Sequence, residues 1–193
     1  MRVSREQVRE NRQRILEVAG RLFREKGFEG AGVDEIMEEA GLTHGGFYGH
    51  FASKAELAEQ ACALALGRAT ERWKALAHGP PGTGLAEMIR SYLSKKRRDD
   101  PGSTCVMAAL GGEVARRSDA VRATVTDGVR AQIGILEGVV RGRSKGERRE
   151  KAIATLSGMV GAMVLARLVD EPALSDEILD DAAAAFGGSP RRG

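Results

Sequence analysis

Three side chains that can bind phosphate lie close together near the end of the first quarter of the chain. Tyr48 and His50 can donate hydrogen bonds to phosphate oxygens, and Lys54 adds a positive charge. The run Ser53-Lys54-Ala55-Glu56 has the spacing of a capping box, which predicts that a helix begins there. Because the free amide groups at a helix N-terminus attract anions, Lys54 would strengthen an anion-binding position.

The residues before this cluster have the pattern of two short helices joined by a glycine. The first helix would end at Gly41, a residue that readily adopts the left-handed conformation, and its apolar face comprises Val33, Ile36, Met37 and Ala40. Thr43 can cap a second helix that ends near Tyr48. A helix this short is unstable alone, so we expect it to be held by its neighbours and to present side chains. The pattern is typical of a helix-turn-helix that reads DNA.

The segment AGLTHGGFYGHFASKAEL, with the preceding KGFEGAGVDEI and the helix before it, resembles the tetracycline-repressor (TetR/AcrR) family of bacterial transcriptional regulators. The resemblance covers roughly the first quarter of the chain. It is specific because the short helix, the Phe-Tyr-x-His-Phe cluster and the Ser-Lys cap occur together at fixed spacing. The remainder resembles the family only in its helical pattern and its length.

The resemblance implies a role for each residue around the second helix. Phosphate contacts are expected at Thr43, Tyr48, His50 and Lys54, and base contacts at His44 and Gly45. Gly45 and Gly46 carry no side chain, so the backbone could approach the groove closely, although both weaken a short helix. Phe47 and Phe51 are expected in the core.

At two places the sequence does not decide which residues contact DNA. Gly32 stands where the family usually has Ser or Thr at the start of the first motif helix, so a cap and a phosphate-binding hydroxyl are both missing. Arginines crowd the N-terminal end, at positions 2, 5, 9, 12 and 14. The arm from Arg2 to Arg9 has two interpretations, insertion into a minor groove or a frayed, solvated end, and the residues do not separate them.

The periodicity of apolar residues predicts an all-α protein of about nine helices, with no segment alternating as a strand does. After residue 54 the predicted helices run from 54 to just before Gly79, then over 85–99, 105–116, 119–141, 147–169 and 175–186. We predict a helix-turn-helix DNA-binding domain over 1–54 and a helical effector-binding and dimerisation domain over 55–193, whose residues 187–193 form a disordered tail.

The last two predicted helices have apolar faces that could pair across a two-fold axis. The penultimate helix is apolar all round, which predicts that it is buried all round. Candidate interface residues of a homodimer are Leu156, Val160, Met163, Ile178, Ala182 and Phe186. The alternative is that both helices only cover the core of one chain. A dimer also follows from recognition, because one short helix reaches too few bases to select an operator.

The resemblance further implies a small-molecule cavity in the larger domain and an effector that releases the protein from DNA. Candidate effector contacts are Trp73, Met88, Tyr92, Cys105, Met107 and Leu110, which are apolar or adaptable residues on the helices expected to surround it. Cys105 follows Ser103-Thr104 at the predicted start of a short helix, where the dipole favours a thiolate. A thiol-based redox or electrophile sensor is therefore an alternative.

Composition bounds the remaining possibilities. The net charge of +3 is mild, and the cysteines, Cys62 and Cys105, lack the spacing of metal ligands, so we expect free thiols, no metal and no cofactor. Motifs of hydrolases, metalloproteases and nucleotide-binding enzymes are missing, so we expect no enzyme. The charged start and the shortness of the uncharged stretch 152–166 favour a cytoplasmic protein with no membrane partner.

The function that these patterns predict is a repressor that binds a palindromic DNA operator as a dimer and is released by a small molecule. The alternatives are an activator, or a regulator of the same fold that needs no ligand.

Overall fold

The computed structural model describes residues 4–80 and 82–187. Within them the chain forms nine α-helices and no strand, as predicted. The helices are α1 (Arg5–Gly30), α2 (Val33–Glu39), α3 (Lys54–Ala77), α4 (Gly84–Tyr92), α5 (Lys95–Asp99), α6 (Val106–Val114), α7 (Asp119–Val139), α8 (Lys145–Leu168) and α9 (Pro172–Gly187). Two 3₁₀ helices span His44–Gly49, called the recognition helix below, and Pro101–Ser103. Arg2 and residues 188–193 of the predicted tail lie outside the described residues, and Gly187 ends α9.

Contacts within the chain divide it into two compact units. The first contains α1, α2, the recognition helix, α3 up to Leu66, and Pro101–Val125. The second contains Gly67–Asp100 and the chain from Thr126 onward. This division follows contacts, and the functional boundary after residue 54 stays a prediction.

The first unit is built around the apolar face of α1. Ile15, Ala19, Leu22 and Phe23 of that face are buried with side chains of α2, the recognition helix, α3 and α6. The rings of Phe23 and Phe28 pack at a centroid distance of 5.2 Å. Because α1 covers the helix-turn-helix, the short elements gain the burial that they lack alone.

The end of α1 is shaped by Gly27, whose φ of 78° interrupts the helix. Glu113 of α6 accepts a hydrogen bond from the Phe28 amide at 2.9 Å. A Cβ at position 27 would stand 2.6 Å from the Glu113 Oε1 atom. Glycine is therefore required here both by the backbone and by the neighbouring carboxylate.

The second unit contains the packed pair α8 and α9. Ser175 donates to the Ala166 carbonyl at 2.5 Å, and Arg98 of α5 donates to Ser175 at 2.9 Å and to Asp176 at 2.6 Å. The ring of Phe186 covers Gly158 so closely that a Cβ at position 158 would collide with it. Gly158 therefore permits the close approach of the two helices.

Two predictions about the second unit were wrong. The single helix predicted over 85–99 is two helices, because Leu93 leaves the helical region (φ −89°, ψ 26°) and Ser94 caps α5 by accepting from the Arg97 amide. The burial of α8 on all sides is also wrong for the described chain, since Ile153, Leu165 and Leu168 are exposed. By length and composition α8 could cross a membrane, a property that core helices of soluble proteins share.

Candidate nucleic-acid interface

The turn between α2 and the recognition helix has the geometry that the glycine predicted. Gly41 has φ of 70°, and the Leu42 amide donates to the Met37 carbonyl at 2.9 Å. Leu42 packs against the core of the unit. At the other end of α2, Gly32 is the N-cap and supplies no side-chain hydrogen bond, as expected for this departure from the family.

The recognition helix is a 3₁₀ helix held by aromatic anchors on one side. Phe47 and Phe51 are each 1% exposed, and their rings stack at 5.9 Å. Tyr48 lies between them in sequence but points outward, with 71% of its surface exposed. Thr43 occupies the N-cap position, yet its hydroxyl makes no capping hydrogen bond within the described chain. Burial of the anchors thus replaces helix propensity in fixing this element.

Neither backbone conformation nor steric crowding within the described chain requires glycine at the glycine positions of the recognition helix. Gly45 and Gly49 have negative φ, and apart from adjoining residues and the backbone of the same helix no described heavy atom lies within 4 Å of where their Cβ atoms would stand. At Gly46 a Cβ would meet Met37 at 3.6 Å, which is ordinary contact. Since glycine destabilises a helix by up to about 1 kcal/mol relative to alanine, these positions favour close approach by a partner outside the chain.

The predicted DNA contacts all belong to the first unit, where they are exposed or half-buried. Thr43, His44, Gly45 and Tyr48 are exposed, and Gly46, His50 and Lys54 are half-buried. The Nδ1 atom of His44 contacts the Asp34 carboxylate, a partner that the sequence analysis did not identify. The Nδ1 atom of His50 is buried and has no hydrogen-bond partner among the described residues.

Lys54 begins α3, as the capping box predicted. Ser53 accepts from the Glu56 amide at 3.1 Å, and the Glu56 carboxylate accepts from the Ala52 amide at 2.7 Å. Two amide groups at this helix start are therefore satisfied within the chain. The anion attraction expected there rests mainly on Lys54.

Arg12, one of the N-terminal arginines, is directed into the protein. Its guanidinium donates to the His50 carbonyl and to Gln60 at 2.7 Å, and it stacks 4.1 Å from the centre of the Phe51 ring. Its spacing on α1, three residues before the buried Ile15, is the sequence signal that identifies this inward face. Arg12 therefore positions the end of the recognition helix.

The other arginines differ in their surroundings. Arg14 donates to the Ala40 carbonyl at 3.2 Å and so closes the C-terminus of α2. Arg5 and Arg9 are exposed and lie in the first turns of α1, which Ser4 caps by accepting from the Gln7 amide at 3.1 Å. They are therefore presented by a helix, not by an extended arm.

The acids of α2 are partly neutralised by α1. Glu39 pairs with Arg21, and Glu35 pairs with Lys26. The hydrogen bond from Lys26 to Glu35 raises the pKa of the Lys26 ammonium. These exposed pairs contribute little stability, but they reduce the negative charge next to the proposed contact surface.

The effector candidates divide between the two units. Trp73, Met88 and Tyr92 are buried in the second unit, where the rings of Trp73 and Tyr92 pack edge to face at 6.3 Å. In the first unit Leu110 is buried, Met107 is half-buried, and Cys105 is the N-cap of α6 with 9% of its surface exposed.

The interface candidates differ in exposure. Leu156 and Met163 are buried, so they could not contact a second chain directly and could only support the residues that do. The other candidates are half-buried: Val160, Ile178, Ala182 and Phe186. The large apolar side chains exposed on α8 and α9 are Ile153, Leu165, Leu168 and Leu174, none of which is among the predicted interface residues. In the part of the chain that the structure describes, no group of three or more His, Cys, Asp or Glu residues could hold a metal ion.

Comparison with known proteins places these features in a family. Residues 15–61 match the model of the bacterial regulatory proteins of the tetR family. The chain is 31% identical over 90 residues to the HTH-type regulator YerO of Bacillus subtilis, which covers 47% of this chain and 31% of YerO. It is 37% identical over 98 residues to the HTH-type transcriptional repressor AcnR of Corynebacterium diphtheriae, which covers 51% of this chain and 48% of AcnR. The chain thus spans less than half the length of these curated relatives.

Solved structures extend the likeness in fold over almost the whole chain. A TetR transcriptional regulator from Legionella pneumophila superposes with a TM-score of 0.77 at 15% identity, over 96% of this chain and 100% of that one. At this identity the likeness concerns the fold alone. The matched segment holds α1 from Ile15, α2, the recognition helix and the start of α3, which are the elements that build the contact surface described above. By sequence, residues 15–61 are similar to the tetR family of bacterial regulatory proteins, and beyond that segment the likeness to solved structures is one of fold.

Proposed function

We propose that this protein is a transcriptional repressor that binds a palindromic DNA operator as a homodimer and is released by a small-molecule effector. The observation that carries the proposal is the recognition helix, whose buried anchors Phe47 and Phe51 hold an exposed face of polar and glycine residues. That face matches what a major groove requires, namely a narrow element with hydrogen-bonding side chains and close backbone approach.

The surroundings of the recognition helix support DNA as the partner. Tyr48, His50 and Lys54 supply donors for phosphate oxygens, and they flank the residues expected at the bases, as phosphate contacts do when they orient a reading element. The salt bridges between α1 and α2 leave fewer unpaired carboxylates to repel the phosphates.

Dimerisation through α8 and α9 is supported by apolar surface that the single chain leaves exposed. Leu168 is 73% exposed and Leu165 is 53% exposed, on a helix that packs against α9. Leu165 and Leu168 lie three residues apart and so share one face of α8, and contiguous apolar patches on a surface mark interaction sites when they are large. A second copy of the same pair of helices would give a self-complementary four-helix contact.

Repression and release by an effector are supported by the family and by the relative that is named a repressor. Within the second unit the candidate effector contacts Trp73, Met88 and Tyr92 are buried and predominantly apolar, as the lining of a small-molecule site is. A coupling of about 1 to 3 kcal/mol between effector and operator would change DNA affinity roughly 5- to 150-fold. Release then requires only that the effector-bound and effector-free states of the protein differ in their affinity for the operator.

The proposal is tested by selecting bound sequences from random DNA and measuring affinity for the enriched site. We expect a palindrome and a stoichiometry of two chains per site. The slope of the logarithm of the binding constant against the logarithm of the salt concentration should be about −7 for about eight phosphate contacts. Lys54→Gln should weaken binding and reduce this slope, whereas the matched control Lys145→Gln, at an exposed lysine of α8, should change neither. Failure to enrich any sequence would refute the proposal.

The thiol-sensor alternative has one supporting observation, the position of Cys105 at the N-cap of α6. Its test is Cys105→Ser. If release from the operator by oxidants and electrophiles is unchanged in this variant, Cys105 is a packing residue.

A further inference from the structure

His44, the first residue of the recognition helix, is held by a residue of another helix. Its Nδ1 atom contacts the Oδ1 atom of Asp34, which is the second residue of α2. Both side chains are on the surface, with 57% of His44 and 83% of Asp34 exposed. The contact therefore lies on the face that we propose meets DNA, and not in the core.

The contact with Asp34 determines whether the other ring nitrogen of His44, Nε2, acts as a hydrogen-bond donor or as an acceptor. An ionised carboxylate can only accept hydrogen bonds, so of the two neutral tautomers of the imidazole the contact with Asp34 favours the one whose proton is on Nδ1. The other nitrogen, Nε2, then has a free lone pair and acts as an acceptor. In the major groove the donors available to such an acceptor are the exocyclic amino groups of adenine and cytosine.

We propose that Asp34 is a specificity-determining residue, which positions His44 so that Nε2 accepts a hydrogen bond from adenine or cytosine at one base pair in each half-site. This inference rests on the proposed function, and it adds a residue that acts through His44 without touching the base. Asp34 has a second effect: its exposed carboxylate repels phosphates and lowers affinity for DNA of any sequence. Asp34 thus shifts binding from sequence-independent contacts towards base contacts.

An ordinary structural role for Asp34 has different consequences. An aspartate in the first turn of a helix stabilises the helix dipole, and its loss would lower stability without changing which bases are preferred. The position of base preference is therefore the decisive readout, because helix stabilisation alone cannot alter it.

The first experiment measures affinity for every single-base variant of the selected operator. The wild type should prefer adenine or cytosine to guanine or thymine by roughly fivefold or more at one position, the lower range for one good base contact. Both His44→Ala and Asp34→Ala should lose this preference at the same position. Asp34→Ala should also bind random-sequence DNA severalfold more tightly.

Two variants separate positioning from charge. Asp34→Asn removes the charge but keeps an oxygen that can accept from Nδ1, so it should retain the base preference while gaining affinity for random DNA. Glu38→Gln removes a charge from another exposed acid of α2, and it should leave the preference intact. Circular dichroism of each variant checks that the fold is retained.

The second experiment requires no DNA. Nitrogen–proton correlation spectra of the neutral His44 ring should place the proton on Nδ1 in the wild type and on Nε2 in Asp34→Ala. The proposal is overturned if the tautomer does not change, if Asp34→Ala keeps a preference that His44→Ala loses, if Asp34→Asn loses it, or if guanine or thymine is preferred. A wild type that binds no selected DNA would instead refute the proposed function, and the spectra would still report on the Asp34–His44 contact.

Discussion

Replacing Arg12 with alanine should destabilise the first unit, because this side chain ties α1 to the segment after the recognition helix. Three interactions would be lost: the hydrogen bonds to the His50 carbonyl and to Gln60, and the stacking of the guanidinium 4.1 Å from the Phe51 ring centre. A long-range contact with Glu56 at 3.5 Å is too exposed to add much.

The magnitude follows from the type and exposure of these interactions. Hydrogen bonds from a charged group contribute about 1.5 to 3 kcal/mol when buried, and cation–π contacts contribute about 0.5 to 1 kcal/mol at exposed sites. Because the Arg12 side chain is 32% exposed, water replaces part of each interaction. We therefore expect Arg12→Ala to reduce the free energy of unfolding by about 2 kcal/mol.

Urea denaturation followed by far-ultraviolet circular dichroism measures this change, at equal protein concentration because dimerisation contributes to apparent stability. Arg9→Ala is the matched control, since Arg9 is an exposed arginine one turn earlier on the same helix. It should unfold within about 0.5 kcal/mol of the wild type, as exposed substitutions usually do. If Arg12→Ala is no less stable than Arg9→Ala, then Arg12 does not hold the recognition helix and the reasoning fails.

Three further perturbations test other features. Gly45→Ala should raise stability by up to about 1 kcal/mol through helix propensity yet weaken operator binding, and unchanged affinity would contradict the close approach that we propose. Burial raises the pKa of the Cys62 thiol to about 11, against a partial opposing effect of Arg24. The native state therefore keeps a proton that the unfolded chain loses above pH 9, so this group's contribution should be complete below pH 9 and be lost by about pH 11. It amounts to about 2 to 3 kcal/mol, measured as the difference between the wild type and Cys62→Ala in denaturation at each pH, and parallel pH profiles would contradict it. Gly158→Ala should destabilise the α8–α9 pair by about 1 to 3 kcal/mol because the new methyl group overlaps the Phe186 ring, whereas Gly138→Ala, where the space is open, should not, and equal melting temperatures would count against the packing.

Much of the helix-turn-helix could be predicted because its signals are local. The left-handed Gly41, the capping box at Ser53 and the apolar spacing of α2 each act over a few residues, and the structure confirms each of them. The stop at Gly27 has the same origin, a positive φ that glycine adopts at little cost. Such features can be read from sequence because the interactions that form them join near neighbours in the chain.

The two predictions that were wrong failed for different physical reasons. The segment 85–99 has a continuous helical pattern, but Ser94 can also cap a new helix, and the cap prevails. The composition of α8 predicted burial on all sides, yet the described elements that pack on it, α9 and α5 among them, leave Leu165 and Leu168 exposed. Periodicity identifies an apolar face, but it does not say what covers that face.

The amino-acid sequence by itself determined the all-α class, the positions of most helices and the short helix that we propose presents side chains to DNA. Only the tertiary structure decided what each polar residue does: Arg12 reaches residues 38 to 48 positions away, Glu113 caps the amide of Phe28 from 85 positions away, and Asp34 holds His44 across a turn. The physical reason is the separation along the chain between the residues that interact. Backbone conformation responds to the nearest few residues, whereas the partner of a long charged side chain is chosen by packing that brings distant parts of the chain together.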